Sequence, residues 1–397
     1  MKLRLLLLSF SLLLLFALPV FAQAPEHPLA QMLAAVPGSA AALDGSFISY
    51  VDYRAVFSQR GGSFPTDLDE FNRMLSSEGG RKIWATNLWR IASGMLGWIQ
   101  NFTQTYPEAQ ALFGFEWFDV DQSLQFGVIP AVGNVLRGEF DPDRVRAAFA
   151  KRDFESQQIA GVETLCWAEG CDQGLAIDLR SRNPANPFGG DFGRREPVAL
   201  LPGILLHSPA IETLTGMIQA AAGAAPSLLA NPDYAAIADL VGVDGATDAD
   251  LIQIQIYRQE SIADFSVPEL PDGAPGPLPP YSVAALADLQ DGDTQIALVA
   301  LVYDDAAAAE LAAHELAARV ASFHAADEIA DAQIEFDPPL VFTSAAGDRF
   351  VAISSLRNPT SPSDPGADSP LAPSASVFLR WYFSLQRREF YPIVSTD

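Results

Sequence analysis

Ser282-Val-Ala-Ala-Leu-Ala-Asp-Leu289, Gln290-Asp-Gly-Asp293 and Gln295-Ile-Ala-Leu-Val-Ala-Leu-Val-Tyr303, followed at once by Asp304-Asp305, form the stretch on which the fold turns. Two apolar runs of strand length on either side of an Asp-Gly turn read as a β-hairpin. The paired aspartates then stand where a helix needs a cap, ahead of an Ala- and Leu-rich run that predicts a helix through Phe323. Strands are expected near Gln333 to Thr343 and Arg349 to Ser355, joined at Ala346-Gly347-Asp348. The unit is therefore β-β-α-β-β.

Working outward, the same order occurs earlier in the chain. Gln122-Ser-Leu-Gln-Phe126, a turn around Pro130, and Asn134-Val-Leu-Arg-Gly-Glu-Phe140 make a hairpin. Asp141-Pro142 starts a helix to Arg152, because proline suits the first helical position behind an Asp cap. Strands near Gln158 to Cys166 and Leu175 to Leu179 complete a first unit within about 120–222. The expected fold class is α+β, with mainly antiparallel sheets, helices on one face and two related β-β-α-β-β units.

Between and around these units lie a short helix from Leu29 to Val36 and a strand from Ser46 to Val51. Asp52 caps a helix through Gln59. One strand is expected over Leu200 to Leu206, with helix starts at Ser208-Pro209 and Asn231-Pro232. Leu251 to Tyr257 alternates Ile252, Ile254 and Ile256 against Gln253, Gln255 and Tyr257, the pattern of a one-sided sheet. From Trp84 to Phe102, apolar residues at helical spacing predict a long helix whose stripe is either core or the lining of an apolar pocket. Phe378, Trp381, Tyr382 and Leu385 share a face of a C-terminal helix flanked by arginines, expected to dock on the body rather than on a membrane surface. The organisation is thus a signal at 1–22, an N-terminal α+β region at 23–267, a Pro-rich linker at 268–280 and a C-terminal α+β region at 281–397.

The signal reading rests on Lys2 and Arg4, the apolar run Leu5 to Phe21 and the small-residue exit at Val20-Phe21-Ala22. Cleavage is expected after Ala22. An exported protein, extracellular or periplasmic, follows, with no stable membrane span once the signal is removed. The chain has 397 residues with 24 basic against 49 acidic ones. That excess disfavours binding to nucleic acid or to anionic membranes, while dispersed acids serve solubility. The two cysteines, Cys166 and Cys171, are expected to pair across the tip of a hairpin, as oxidising compartments allow.

Chemical motifs are few. There is no Gly-x-Ser-x-Gly elbow and no phosphate loop, and His314-Glu315 lacks the second histidine of a zinc peptidase. The acid groups Asp119/Asp121, Asp244/Asp248/Asp250 and Asp291/Asp293 lack the spacing of a calcium loop and suit turns and caps. No catalytic residue, metal site or cofactor is assigned. The loop from Asn183 to Arg195 stands out, with Asn186, Phe188, Phe192, Arg194 and Arg195 as candidate binding residues. The bland alternative is a connector whose arginines pair with nearby acids.

The succession of strand, Asp or Ser-Pro cap and helix, seen at Phe47 to Asp52, Leu136 to Pro142, Leu205 to Pro209 and Val299 to Asp305, resembles an uncharacterised family of exported bacterial proteins. Its domain has no assigned function and repeats similar units. The resemblance implies an architecture and an export context, and it carries over no catalytic residue. The leading functional expectation is an exported, non-enzymatic protein that binds a protein or a small molecule. The alternatives are a secreted hydrolase with a scattered carboxylate or Ser site, and a carrier of apolar ligands.

Overall fold

The computed structural model describes residues 27–42, 47–58, 63–81, 108, 110–186, 188–241, 249–262, 276–326, 334–359 and 376–394. The signal segment, the Trp84 to Phe102 stripe and the acids Asp244 and Asp248 lie outside these residues.

Among the described residues thirteen strands form one sheet. In chain order they are β1 (Phe47–Asp52), β2 (Val120–Phe126), β3 (Gly133–Gly138), β4 (Phe154–Ile159), β5 (Val162–Trp167), β6 (Val198–Leu201), β7 (Ile204–His207), β8 (Asp250–Arg258), β9 (Val283–Asp291), β10 (Thr294–Tyr303), β11 (Glu335–Phe336), β12 (Leu340–Thr343) and β13 (Phe350–Pro359). Their spatial order is β11-β13-β10-β9-β8-β1-β2-β3-β7-β6-β5-β4, with β12 also on β13. Every pairing is antiparallel. The fold is α+β, as the sequence leads one to expect.

The sheet runs without a break from the N-terminal half into the C-terminal one, because β8 pairs with β9 from Asp250↔Gln290 to Arg258↔Val283. The earlier stretch runs strand-strand-helix-strand-strand, the later one has three strands, β11, β12 and β13, after its helix, and their pairings differ. In the later one β13 adds directly to β10, whereas in the earlier one the β6–β7 hairpin separates β3 from the β4–β5 hairpin.

Helices cover both faces of the sheet, where one covered face was expected. Against one face pack α1 (Pro28–Leu33), α5 (Ile211–Ala221) and α6 (Pro232–Leu240), burying Tyr50, Phe126, Ile254, Ile256, Leu298 and Val302. On the opposite face α2 (Tyr53–Ser58), α3 (Leu68–Ser76) and α4 (Pro142–Ala150) enclose an aromatic cluster with Phe57, Phe71, Phe113, Trp117 and Phe149. Further along that face α8 (Ala306–Ala326) and α9 (Val377–Gln386) cover Leu286, Val299 and Leu301. A short α7 (Gln259–Ile262) follows β8. Phe378, Trp381 and Leu385 are buried, so α9 docks on the body through the stripe seen in the sequence.

The glutamine side of β8 is buried as well. Its cost is met by hydrogen bonds: Gln255 Nε2 donates to Ser49 Oγ at 2.9 Å and Gln253 Nε2 to Asp288 Oδ2 at 3.0 Å. Gln295 Nε2 reaches Asp288 Oδ1 from the other side at 2.8 Å. Polar alternation therefore marks a sheet face that is internal but hydrogen-bonded.

Capping follows the sequence closely. Asp141 Oδ1 accepts from Asp143 N at 2.9 Å, Asn231 Oδ1 from Asp233 N at 3.0 Å and Asp305 Oδ2 from Ala308 N at 3.0 Å. Two hairpins depart from expectation. Leu200 to Leu206 is two strands, β6 and β7, turned at Pro202-Gly203, where Gly203 takes φ +69°. The hairpin ahead of the disulfide turns at Ala160-Gly161, with φ of 49° and 82°, so the strands are 154–159 and 162–167. Two consecutive left-handed residues match the twist of the flanking strands, the requirement for so tight a turn.

The end of the expected linker belongs to the folded body. Leu278 is buried, and the Gly276 carbonyl accepts two hydrogen bonds from Arg319 on α8. Among the described residues no helix is long and apolar enough to cross a membrane.

Candidate functional site

The far end of the sheet, around β4 and β5, carries the densest concentration of unusual side chains. Phe154 and Trp167 face each other across the hairpin. Arg152, just past the end of α4, folds back among phenylalanines: its guanidinium carbon lies 4.3 Å from the Phe149 ring centroid, 5.1 Å from Phe154 and 5.3 Å from Phe113. Its Nε and Nη2 are shielded from solvent and make no hydrogen bond. Burial, reinforced by the nearby Arg195 charge, lowers its pKa to about 10, and no carboxylate offsets either effect.

Cys166 and Cys171 are disulfide-bonded, with their Cα atoms 4.7 Å apart. The bond does not bridge a hairpin tip, because the turn lies at Ala160-Gly161. It ties the end of β5 to the turn Cys171–Leu175, and so fixes where the following loop leaves the sheet.

From that tether the chain runs outward. Leu175 to Leu179, expected as a strand, is irregular and exposed, with Leu175 40%, Ile177 59% and Leu179 67% accessible. The loop from Asn183 then folds on itself through local bonds. Asn183 Oδ1 accepts from Ala185 N and Asn186 Oδ1 from Phe188 N, each at 2.9 Å, while Gly190 N returns to the Asn186 carbonyl at 3.0 Å. Asp178 N donates to the Phe192 carbonyl at 3.0 Å, which sets the exposed Phe192 beside the Ile177 to Leu179 segment. Gly193, at φ +62°, closes this contact: a Cβ there would stand 1.8 Å from the Asp178 carbonyl oxygen.

The five candidate residues take different parts. Phe188 is buried, 5.2 Å from the Phe113 ring and 4.5 Å from the His207 ring, and anchors the loop. Asn186 shapes the turn. Phe192 is exposed with the Arg194 guanidinium 4.8 Å from its ring, and Arg195 lies 4.1 Å over Trp167. Arg195 Nη2 also donates to Ser181 Oγ at 3.4 Å. Arg194 does meet an acid, Glu196, at 3.7 Å, whereas Arg195 stacks on an indole. Nothing in the sequence singles out Arg152, Trp167 or Ile177 as site residues. Alternation over Leu175 to Leu179 suggested a strand, and a lone arginine past a helix end carries no signal.

Behind the loop, Glu196 and His207 are buried and in contact, with Oε2 and Nε2 2.5 Å apart, and Asn134 Nδ2 lies 3.0 Å from His207 Nδ1. The Nε2–H tautomer satisfies both contacts, donating to Glu196 and accepting from Asn134. The adjacent Ser208 hydroxyl donates to the Val132 carbonyl at 2.8 Å and accepts from Ala210 N at 3.2 Å, so it is spent in the turn ahead of α5, which starts at Ile211 behind Ala210 rather than at Ser208-Pro209.

The remaining acids have structural partners. Asp119 accepts from Glu116 N, Asp121 pairs with Arg54 and Asp291 with Arg357. His314 is exposed on α8. Among the described residues no group of three or more His, Cys, Asp or Glu could hold a metal ion. An open groove of about 480 Å³ lies between Pro37, Gly216 and Pro226 on the other side of the sheet.

Comparison with known proteins adds little. No family matches the chain, and no curated protein matches it in sequence. Among solved structures, crystal form III of TP0453 superposes with a TM-score of 0.31 at 8% identity, over 84% of this chain and 95% of that one. Crystal form I gives 0.32 at 7% identity, over 82% and 94%, and crystal form IV gives 0.32 at 8%, over 80% and 92%. Likeness at that level is too distant to bear on function, which is left to the chain's own geometry.

Proposed function

We propose that the chain is an exported, non-enzymatic binding protein and that the loop face from Cys171 to Glu196 is where it binds. The observation that carries this reading is the company kept by Ile177, Leu179 and Phe192. Three large apolar side chains stand exposed on a loop that also holds Arg180, Arg182, Arg194 and Arg195 against Asp172, Asp178, Asp191 and the buried Glu196, in a chain whose net charge is −25. Water-exposed apolar groups of this size mark interaction surfaces when clustered. Arginines and acids balance along this loop, so it stands near neutral in a strongly acidic protein and repels anionic partners less than the rest of the surface does. The loop is held from below by the disulfide, Phe188 and Gly193, which keeps the binding side chains in place without a ligand.

Export is part of the same reading: the apolar run after Lys2 and Arg4, with release after Ala22, delivers the chain to a compartment where the Cys166–Cys171 bond persists. Secretion from a bacterial host, followed by intact-mass measurement, is expected to return Gln23 to Asp397 lighter by two protons.

Calorimetric titration of the mature protein with dodecanoate and dodecyl phosphate, below their micellar concentrations, tests the binding face. Saturable binding that falls at least tenfold in an I177S/L179S/F192S variant is expected. The absence of saturable binding, or catalytic turnover of an ester, peptide or glycoside panel, would overturn the reading. At Glu196–His207 the buried carboxylate and imidazole are engaged with each other and with Asn134.

A further inference from the structure

We infer that Arg152 and Arg195 together form a seat for an oxyanion, a carboxylate or a phosphate, beside the Trp167 ring. The inference rests on the binding-protein reading and names the chemistry that the face takes. Two guanidinium groups are brought together by the Phe154↔Trp167 register, one over each ring: Arg152 lies 5.1 Å from the Phe154 centroid and Arg195 4.1 Å from that of Trp167. Arg152 Nε and Nη2 have no hydrogen-bond partner. Buried donors of a charged group are normally satisfied, and leaving them unmade is costly. Ring faces attract a cation but accept no hydrogen bond of ordinary strength, so the phenylalanines hold Arg152 in place without using its donors.

Several arginines of the described chain find acids, Arg54 with Asp121, Arg146 with Glu163, Arg349 with Asp233 and Arg357 with Asp337, while the buried Arg319 finds carbonyls and Arg195 has Asp178 within Coulombic reach. In a chain with twice as many acids as bases, an arginine pair without a carboxylate at Arg152 departs from that pattern. A planar or tetrahedral oxyanion bridging the two guanidiniums would supply the acceptors and remove their mutual repulsion. Arg152 and Arg195 are each half-buried as residues, but Arg152 Nε and Nη2 are themselves shielded, so an ion would enter from the Arg195 side. Arg195 Nη2 reaches Ser181 Oγ, two residues past the exposed Leu179, so an apolar chain attached to the oxyanion has the Ile177 to Leu179 segment to run toward.

The oxyanion has two sources, a free ion or the head of an apolar molecule, and the titration separates them. The mature disulfide-bonded protein is titrated with inorganic phosphate, acetate, dodecyl phosphate and dodecanoate at constant ionic strength, by calorimetry and by phosphorus NMR for the phosphates. The expected result is saturable binding of at least one oxyanion, weakened at least tenfold in both R152M and R195M. Tighter binding of the dodecyl compounds identifies a headgroup, and equal binding identifies a free ion. R152M is expected to keep or raise the thermal midpoint in the absence of ligand, since it removes a buried charge without a counterion. R195M, at a more accessible position, serves as the second variant if R152M fails to fold. Unchanged oxyanion affinity in R195M, or a wild type that binds none of the four, overturns the inference. Dodecyl binding that survives R152M and R195M but is lost in I177S/L179S/F192S would keep the binding face and remove the oxyanion seat.

Discussion

Replacing Arg319 by methionine probes how the C-terminal segment is held to the body. Arg319 is 1% exposed on α8, and its Nη1 donates to the Val394 carbonyl at 2.7 Å. Nε and Nη2 donate to the Gly276 carbonyl at 3.1 and 2.7 Å. One side chain thus ties together two segments far apart in sequence. Methionine fills similar volume and keeps the apolar stem, so packing changes little and the lost bonds dominate. The Val394 carbonyl, on a buried residue, is left unsatisfied at about 1–3 kcal/mol. Gly276 is exposed, so water replaces part of its loss, at about 0.5–1.5 kcal/mol. Burial already lowers the Arg319 pKa, and releasing that penalty offsets a fraction. The net expectation is a destabilisation of about 2–4 kcal/mol, read as a lower urea midpoint at unchanged slope. Hydrogen exchange should show faster amide exchange over 391–394. A variant within about 0.5 kcal/mol of wild type would refute the reasoning, because it would mean that the two carbonyls find other donors without cost.

Three further outcomes are expected. His27 accepts the Leu29 N–H at 3.2 Å through Nδ1, and burial lowers its pKa from 6.5 to about 4. The folded chain therefore resists a proton that the unfolded chain takes up, so about 2–3 kcal/mol present above pH 6.5 is lost as pH falls toward 4. H27N, which keeps a cap acceptor, should abolish that slope in denaturation measured from pH 7 to 4.5. The difference from wild type isolates it, because Asp52 and Asp119, raised mainly by burial, contribute with the opposite sign in both proteins. Removing the disulfide with C166S/C171S should cost about 2 kcal/mol at most by the loop-closure relation, since only a short loop is closed. It should also speed proteolysis between Leu175 and Arg182, and unchanged cleavage would count against the tether. G193A places a Cβ against the Asp178 carbonyl at positive φ and is expected to cost about 1–3 kcal/mol. It should also weaken binding at the Ile177 to Phe192 face, and a variant with normal stability and binding would show that this turn does not shape the face.

Local chemistry was legible wherever one or two residues decide the backbone. Asp141-Pro142, Asn231-Pro232 and Asp305 capped helices where they stood, and Asp291-Gly292 turned the β9–β10 hairpin, because caps and tight turns are satisfied within three or four residues. The hairpins at Gly161 and Gly203 rest on equally short signals, each lying inside a run that reads as a single strand. The covering of both sheet faces was not legible. Gln253 and Gln255 alternate with isoleucines as solvent-facing residues would, and only partners on β9 and β1, Asp288 and Ser49, make their burial tolerable.

The candidate site divides in the same way. By composition alone the chain declared an acidic body, a cysteine pair and an arginine-bearing glycine loop at Asn183 to Arg195, since charge and turn propensity belong to residue types. Which of those residues are free to bind was decided by tertiary structure. Phe188 went inside against Phe113 and His207, while Phe192 stayed out, although the two are four positions apart in the same loop. Arg152 and Arg195 are separated by more than forty residues and come within electrostatic reach of each other because antiparallel register sets Phe154 opposite Trp167. Propensity acts over a few bonds, whereas the burial of a charge depends on every segment that crosses above it.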